Sequence, residues 1–159
     1  TVPKGETDYN RLPEWNLVVI YQMPLWVKSA LVVKMPRIVI QHELAHVLRH
    51  MNTGSTIPLK TQVILQENTF SIVIRKDGVI AHASVQEYQN AEDVLYHLMI
   101  CYKRLDISTK SQIALSSSTP DANLVAEKVI QLSQKVQDFS IHTLQATTNS
   151  HLQFQALCV

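Results

Sequence analysis

Three short runs with strand periodicity, followed at once by one long amphipathic stretch, lie between Thr61 and Leu105 and constrain this chain more than anything else in it. Phe70, Ile72 and Ile74 alternate with Ser71, Val73 and Arg75, a period of two with one face more apolar than the other. Lys76-Asp77-Gly78 then carries the Asp-Gly hairpin signal, and Val79, Ala81, Ala83 and Val85 resume the alternation. Asn90 suits a helix N-cap, with Asp93 placed to reach back to it as a capping-box acid. Behind it Ala91, Val94, Leu95, Leu98, Tyr102 and Leu105 recur at spacings of three and four, an apolar stripe fit to lie on a sheet. The expected unit is a three-strand meander crossed by a helix, hence an α/β fold.

The flanking sequence extends this pattern. Residues 1–13 are polar, with Pro3, Gly5 and Pro13, and read as a leader or linker. Leu17-Val18-Val19-Ile20-Tyr21 predicts a buried strand, and residues 25–34, opened by Pro24 and apolar on most sides, a well-covered helix. Arg37-Ile38-Val39-Ile40 reads as another strand, and residues 43–51 as a short helix stopped by Asn52-Thr53-Gly54. Downstream, residues 112–115 predict a short strand, and Thr119-Pro120 a capped helix start. Val125, Val129, Leu132 and Val136 would then be a last helix's inner stripe, and residues 139–144 a closing strand. Residues 60–145 thus form one complete lobe and residues 14–55 the back half of a similar one, with a tail at 146–159.

Charge and composition narrow the function classes. A net charge of +1 with no Lys/Arg cluster offers no general attraction to nucleic acid or to an anionic membrane, and no apolar run approaches the length of a membrane span. Cys101 and Cys158 make no metal-type spacing, and Cys101 beside a helix stripe reads as a reduced thiol in a cytoplasmic protein. Trp15 and Trp26 flank the first strand and helix and read as packing residues.

The order of elements, with Tyr21-Gln22-Met23-Pro24 and the run from Gln66 to Leu98 carrying Gln89-Asn90-Ala91-Glu92-Asp93, resembles a family of uncharacterised bacterial proteins with an actin-like ATPase fold. The resemblance covers residues 14–144 and implies ribonuclease-H-like lobes, the first of them lacking its opening meander. Wider relatives of that fold bind ATP between lobes, with a glycine turn cradling phosphate because only glycine lets backbone amides come so close. The matching turn here is Gln66-Glu67-Asn68, and a second glycine-rich loop is replaced by Ser116-Ser117-Ser118-Thr119. The resemblance therefore implies a degenerate nucleotide site, no cofactor, and a non-catalytic scaffold or protein-interaction role. A still-competent ATP-binding protein is the alternative within the fold. A strand edge left open in the partial lobe, at 17–21 or 37–40, implies a homodimer.

One motif points elsewhere. His42-Glu43-Leu44-Ala45-His46 is a complete H-E-x-x-H, in which two imidazoles on one helical face hold zinc and the glutamate serves as base toward metal-bound water. A zinc-dependent hydrolase using His42 and His46 as ligands and Glu43 as base is thus a further alternative. Against it stand the strand-like run up to Gln41, which starts the helix only at His42, and the lack of a third ligand. The stripe of Leu44, Val47, Leu48 and Met51 also turns His42, His46 and His50 toward solvent. His82 and His97 read as surface or partly satisfied residues, and serines 116–118 have no nucleophile elbow and no His and Asp tied to them in sequence.

Overall fold

The computed structural model describes residues 5–52, 58–107, 113–136 and 143–144. The chain divides into two compact units between residues 53 and 54.

In the second unit, β3 (Leu59–Leu65), β4 (Thr69–Lys76) and β5 (Val79–Glu87) form the meander, followed by α3 (Ala91–Arg104), β6 (Ile113–Ser117), α4 (Pro120–Ser133) and β7 (Thr143–Leu144). The sheet order is β5-β4-β3-β6-β7; the meander pairs are antiparallel, whereas β3–β6 and β6–β7 are parallel. The unit is therefore an α/β lobe with a mixed sheet. Asp77 and Gly78 both take positive φ, 51° and 82°, as the hairpin turn between β4 and β5 requires. Asn90 caps α3 by accepting from the Asp93 amide at 2.9 Å, but Asp93 accepts from Gln89, one residue earlier than a capping box would place it. Thr119 caps α4 through the Ala122 amide, with Pro120 in the first turn.

The core lies between one face of this sheet and the two helices. Val63, Leu65, Phe70, Ile72, Ile74, Ile113 and Leu115 meet Ala91, Val94, Leu95, Leu98 and Tyr102 of α3. Leu105, the last of the expected stripe, is only partly buried. In α4 the inner face is Ala122, Ala126, Val129 and Ser133, while Val125, Leu132 and Val136 sit at its margin. Small residues bring that helix close to its neighbours, and the sequence stripe misplaces the face by part of a turn. The opposite, less apolar face of the sheet is also buried: Gln62, Ile64, Ser71, Val73, Arg75 and Ser116 are each at most 7% exposed.

The first unit begins with β1 (Gly5–Leu12), which pairs antiparallel with β2 (Leu17–Pro24), so residues 5–12 are strand where a leader was expected. The alternation there is hidden because the run is polar and gains its ladder from β2. A 3-10 turn at Pro13–Trp15 and Asn16, at φ 51°, joins the two. After α1 (Leu25–Lys34) comes α2 (Glu43–Asn52). The expected strand at 37–40 is absent: the segment turns at Pro36 and Arg37 and then runs without ladder bonds, the Ile40 carbonyl accepting instead from the Asn10 and Tyr21 side chains. Nor is β2 buried or α1 well covered. Ile20 is 69% exposed, Trp26 71% and Val33 79%, and α1 has no buried residue. Most of the expected closing strand and the tail at 146–159 lie outside the described residues, as do Gln112 and Cys158.

Candidate functional site

The second unit carries a cleft of about 900 Å³ where β3 and β6, running parallel, deliver their carboxyl ends. Such crevices are where open α/β sheets place ligands. Gln66-Glu67-Asn68 turns the chain from β3 to β4 at its rim. The Gln66 amide donates to the Thr69 carbonyl at 2.8 Å, and the Thr69 hydroxyl donates to Gln66 Oε1. Tyr88, at the end of β5, donates its hydroxyl to the Gln66 carbonyl and its amide to that of Asn68. On the other side the α4 cap is tied to β3, because Ser118 donates to the Leu65 carbonyl through both its amide and its hydroxyl.

Glu67, Glu87, Asp93 and Asp121 line the cleft with His97, and among the described residues no Lys or Arg lines it. Burial first, and then the Glu67 charge, push the Tyr88 phenol up, so it stays neutral. His97 lies 5.8 Å from the Phe70 ring and is half-buried. None of residues 66–68 has positive φ, so the turn presents side chains rather than a bare backbone cradle. A triphosphate would meet four carboxylates, more negative charge than one divalent cation neutralises, and, among the described residues, no cationic side chain. The residues present do not fit it.

The serines after β6 are structural in their contacts. Ser117 donates to Asn123 Oδ1, and Ser116 Oγ is buried without a partner among the described residues. His82 Nε2 lies 2.8 Å from Ser84 Oγ and 3.4 Å from Cys101 Sγ, so it is a partly satisfied residue packed between β5 and α3.

The H-E-x-x-H segment falls in the first unit. His42 precedes α2 and acts as its cap, its Nδ1 accepting from the Leu44 amide at 3.1 Å while its own amide donates to Asn10 Oδ1. Glu43 is the first helical residue and His46 is half-buried one turn on. Ala45, Val47, Leu48 and Met51 are the buried residues of α2, with Leu44, His42, His46 and His50 half-buried rather than turned fully to solvent. Trp15 anchors the helix by donating to the Leu48 carbonyl at 2.7 Å. Among the described residues no three of His, Cys, Asp or Glu are grouped so as to hold a metal ion.

The mixed sheet of the second unit, with two helices over one face and a cleft at its parallel strand ends, belongs to an α/β protein of the actin-like ATPase class of fold, as a structural likeness shows. A crystal structure from Bacteroides thetaiotaomicron VPI-5482, described as a protein with actin-like ATPase fold and unknown function, superposes with a TM-score of 0.78 at 17% identity. The match covers 97% of this chain and 59% of that one, so the chain spans under two thirds of its structural relative. The family described as "Protein of unknown function (DUF3822)" matches residues 2–136, and the chain belongs to it. No curated protein matches. No helix among the described residues is long and apolar enough to cross a membrane.

Proposed function

We propose that this chain is a non-catalytic actin-like-fold domain that works in the cytoplasm by contacting other proteins, with a cleft that has lost the means to hold phosphate. The observation that supports this most is the cleft's charge: Glu67, Glu87, Asp93 and Asp121 stand around a turn without glycine. The exposed apolar residues of α1 and β2 add surface of the kind that marks protein contacts.

Thermal unfolding with and without millimolar MgATP tests the first half. A ligand at about a hundred times its Kd adds roughly 2.7 kcal/mol, several degrees for a domain this size. The expected outcome is no shift; a shift of several degrees that Glu67→Gln enlarges would mean the cleft is a working nucleotide site. For the second half, a photo-crosslinking residue in place of the exposed Asn68 is expected to capture polypeptide in cells. Capture of nucleotide alone would overturn it.

A further inference from the structure

The first unit's sheet has two outer edges, and the structure treats them differently. In an antiparallel pair each residue directs both main-chain groups either toward its partner or away from it. The Tyr9 amide donates to Asp8 Oδ1 at 2.8 Å, and its carbonyl accepts from Asn10 Nδ2, so Tyr9 faces away from β2. Arg11, two residues on, points the same way, and its carbonyl accepts from Arg49. The outer edge of β1 is thus capped by side chains of its own unit.

The register then fixes the other edge. Tyr9 pairs with Ile20, Arg11 with Val18 and Thr7 with Gln22, so Val18, Ile20 and Gln22 direct their main-chain groups outward from β2. Among the described residues β2 has no second strand beside it, and none of these groups bonds elsewhere. Of its outward residues only Pro24, at the strand's end, is one of the usual protections; Val18, Ile20 and Gln22 lack charge, bulge and proline. Val18 and Ile20 are 53% and 69% exposed.

We infer that the outer edge of β2 is a pairing site for a second copy of this chain. Two β2 strands meet antiparallel across a two-fold axis at Ile20, joining two hairpins into one four-stranded sheet. An antiparallel edge suits a closed two-fold contact because the same groups donate and accept on both sides. Of the outward set 18, 20, 22 and 24, the three with a main-chain N–H are symmetric about Ile20, so Ile20 meets its own copy and Val18 meets the Gln22 of the other chain. Tyr9, Leu17, Val18, Ile20, Leu25 and Trp26, on or beside this hairpin, leave on the order of 600 Å² of apolar side chain exposed, against about 800 Å² per partner in a standard interface; the paired main chain supplies the rest. The inference rests on no reading of the cleft.

Sedimentation equilibrium of the whole chain is the test, with far-UV circular dichroism and thermal unfolding to establish that each variant folds. The wild type is expected to be dimeric. A residue on a two-fold axis opposes itself, so Ile20→Lys sets like charges face to face and is expected to raise the dimer Kd by at least about tenfold without unfolding an exposed position. Val18→Lys combined with Gln22→Glu forms two cross-pairs and is expected to remain dimeric, whereas Val18→Lys with Gln22→Lys is not. Val85→Lys, on the exposed edge strand β5, is expected to leave association unchanged. A monomeric wild type, or a dimer broken by Val85→Lys and not by Ile20→Lys, overturns the inference.

Discussion

Tyr102 shows how much one polar contact can matter in this core. It is 1% exposed at the inner face of α3 and donates to Thr61 Oγ1 at 2.7 Å, joining the helix to the central strand β3. Tyr102→Phe keeps the ring and strips a buried hydroxyl of its partner, at a cost of about 1–3 kcal/mol. Urea unfolding should show a lowered midpoint with unchanged slope; an unchanged midpoint would mean the contact contributes nothing net. His82 supplies a pH dependence of known sign. Burial, reinforced by Arg104, holds the imidazole below its ordinary value of 6.5. The unfolded chain therefore takes up a proton first as pH falls. The stability associated with neutral His82 is fully present above about 6.5 and is lost as pH drops through the folded value. His82→Gln should flatten the fall in melting temperature between pH 7.5 and 5.5, and an unaltered profile would show that other groups govern it.

Among the elements, α3 is the one whose local chemistry and tertiary role agree most closely. Asn90→Ala removes the acceptor for the Asp93 amide and is expected to cost about 1 kcal/mol, with Asn90→Ser restoring most of it. Equal stabilities of the alanine and serine variants would refute a capping role. What was legible in sequence is of this kind: the cap at Asn90, the Asp77-Gly78 turn and the stripe from Ala91 to Tyr102 are short-range signals that the backbone obeys. β1 was not legible, because Glu6, Asp8, Asn10 and Arg11 follow no apolar alternation and become strand only through pairing with β2. The run at 37–40 failed in the opposite sense, having strand-forming side chains and no ladder partner. The cleft was half legible: the turn at 66–68 lacked glycine on reading, but the approach of Glu87, Asp93 and Asp121 to Glu67 needs the fold.

At the scale of the whole molecule, the two units differ in how much they bury. β3 and β4 are buried on both faces, whereas α1 has no buried residue and β1–β2 is a two-stranded sheet, marginal alone in water. Native-state hydrogen exchange should find the slowest amides in β3, β4 and α3, and amides of the β1–β2 hairpin exchanging orders of magnitude faster. Equal protection in both would show that they open only together. The parallel pairing of β3 with β6 has a further consequence, during synthesis. β4, β5 and α3 all leave the ribosome between those two strands, so one side of β3 waits roughly 3–10 s, at ~5–20 residues per second, for its neighbour. A nascent chain paused after α3 therefore presents β3, buried along most of its length in the finished fold, with an open side. That interval is one in which an unpaired strand edge exposes this polypeptide to aggregation before the fold is complete.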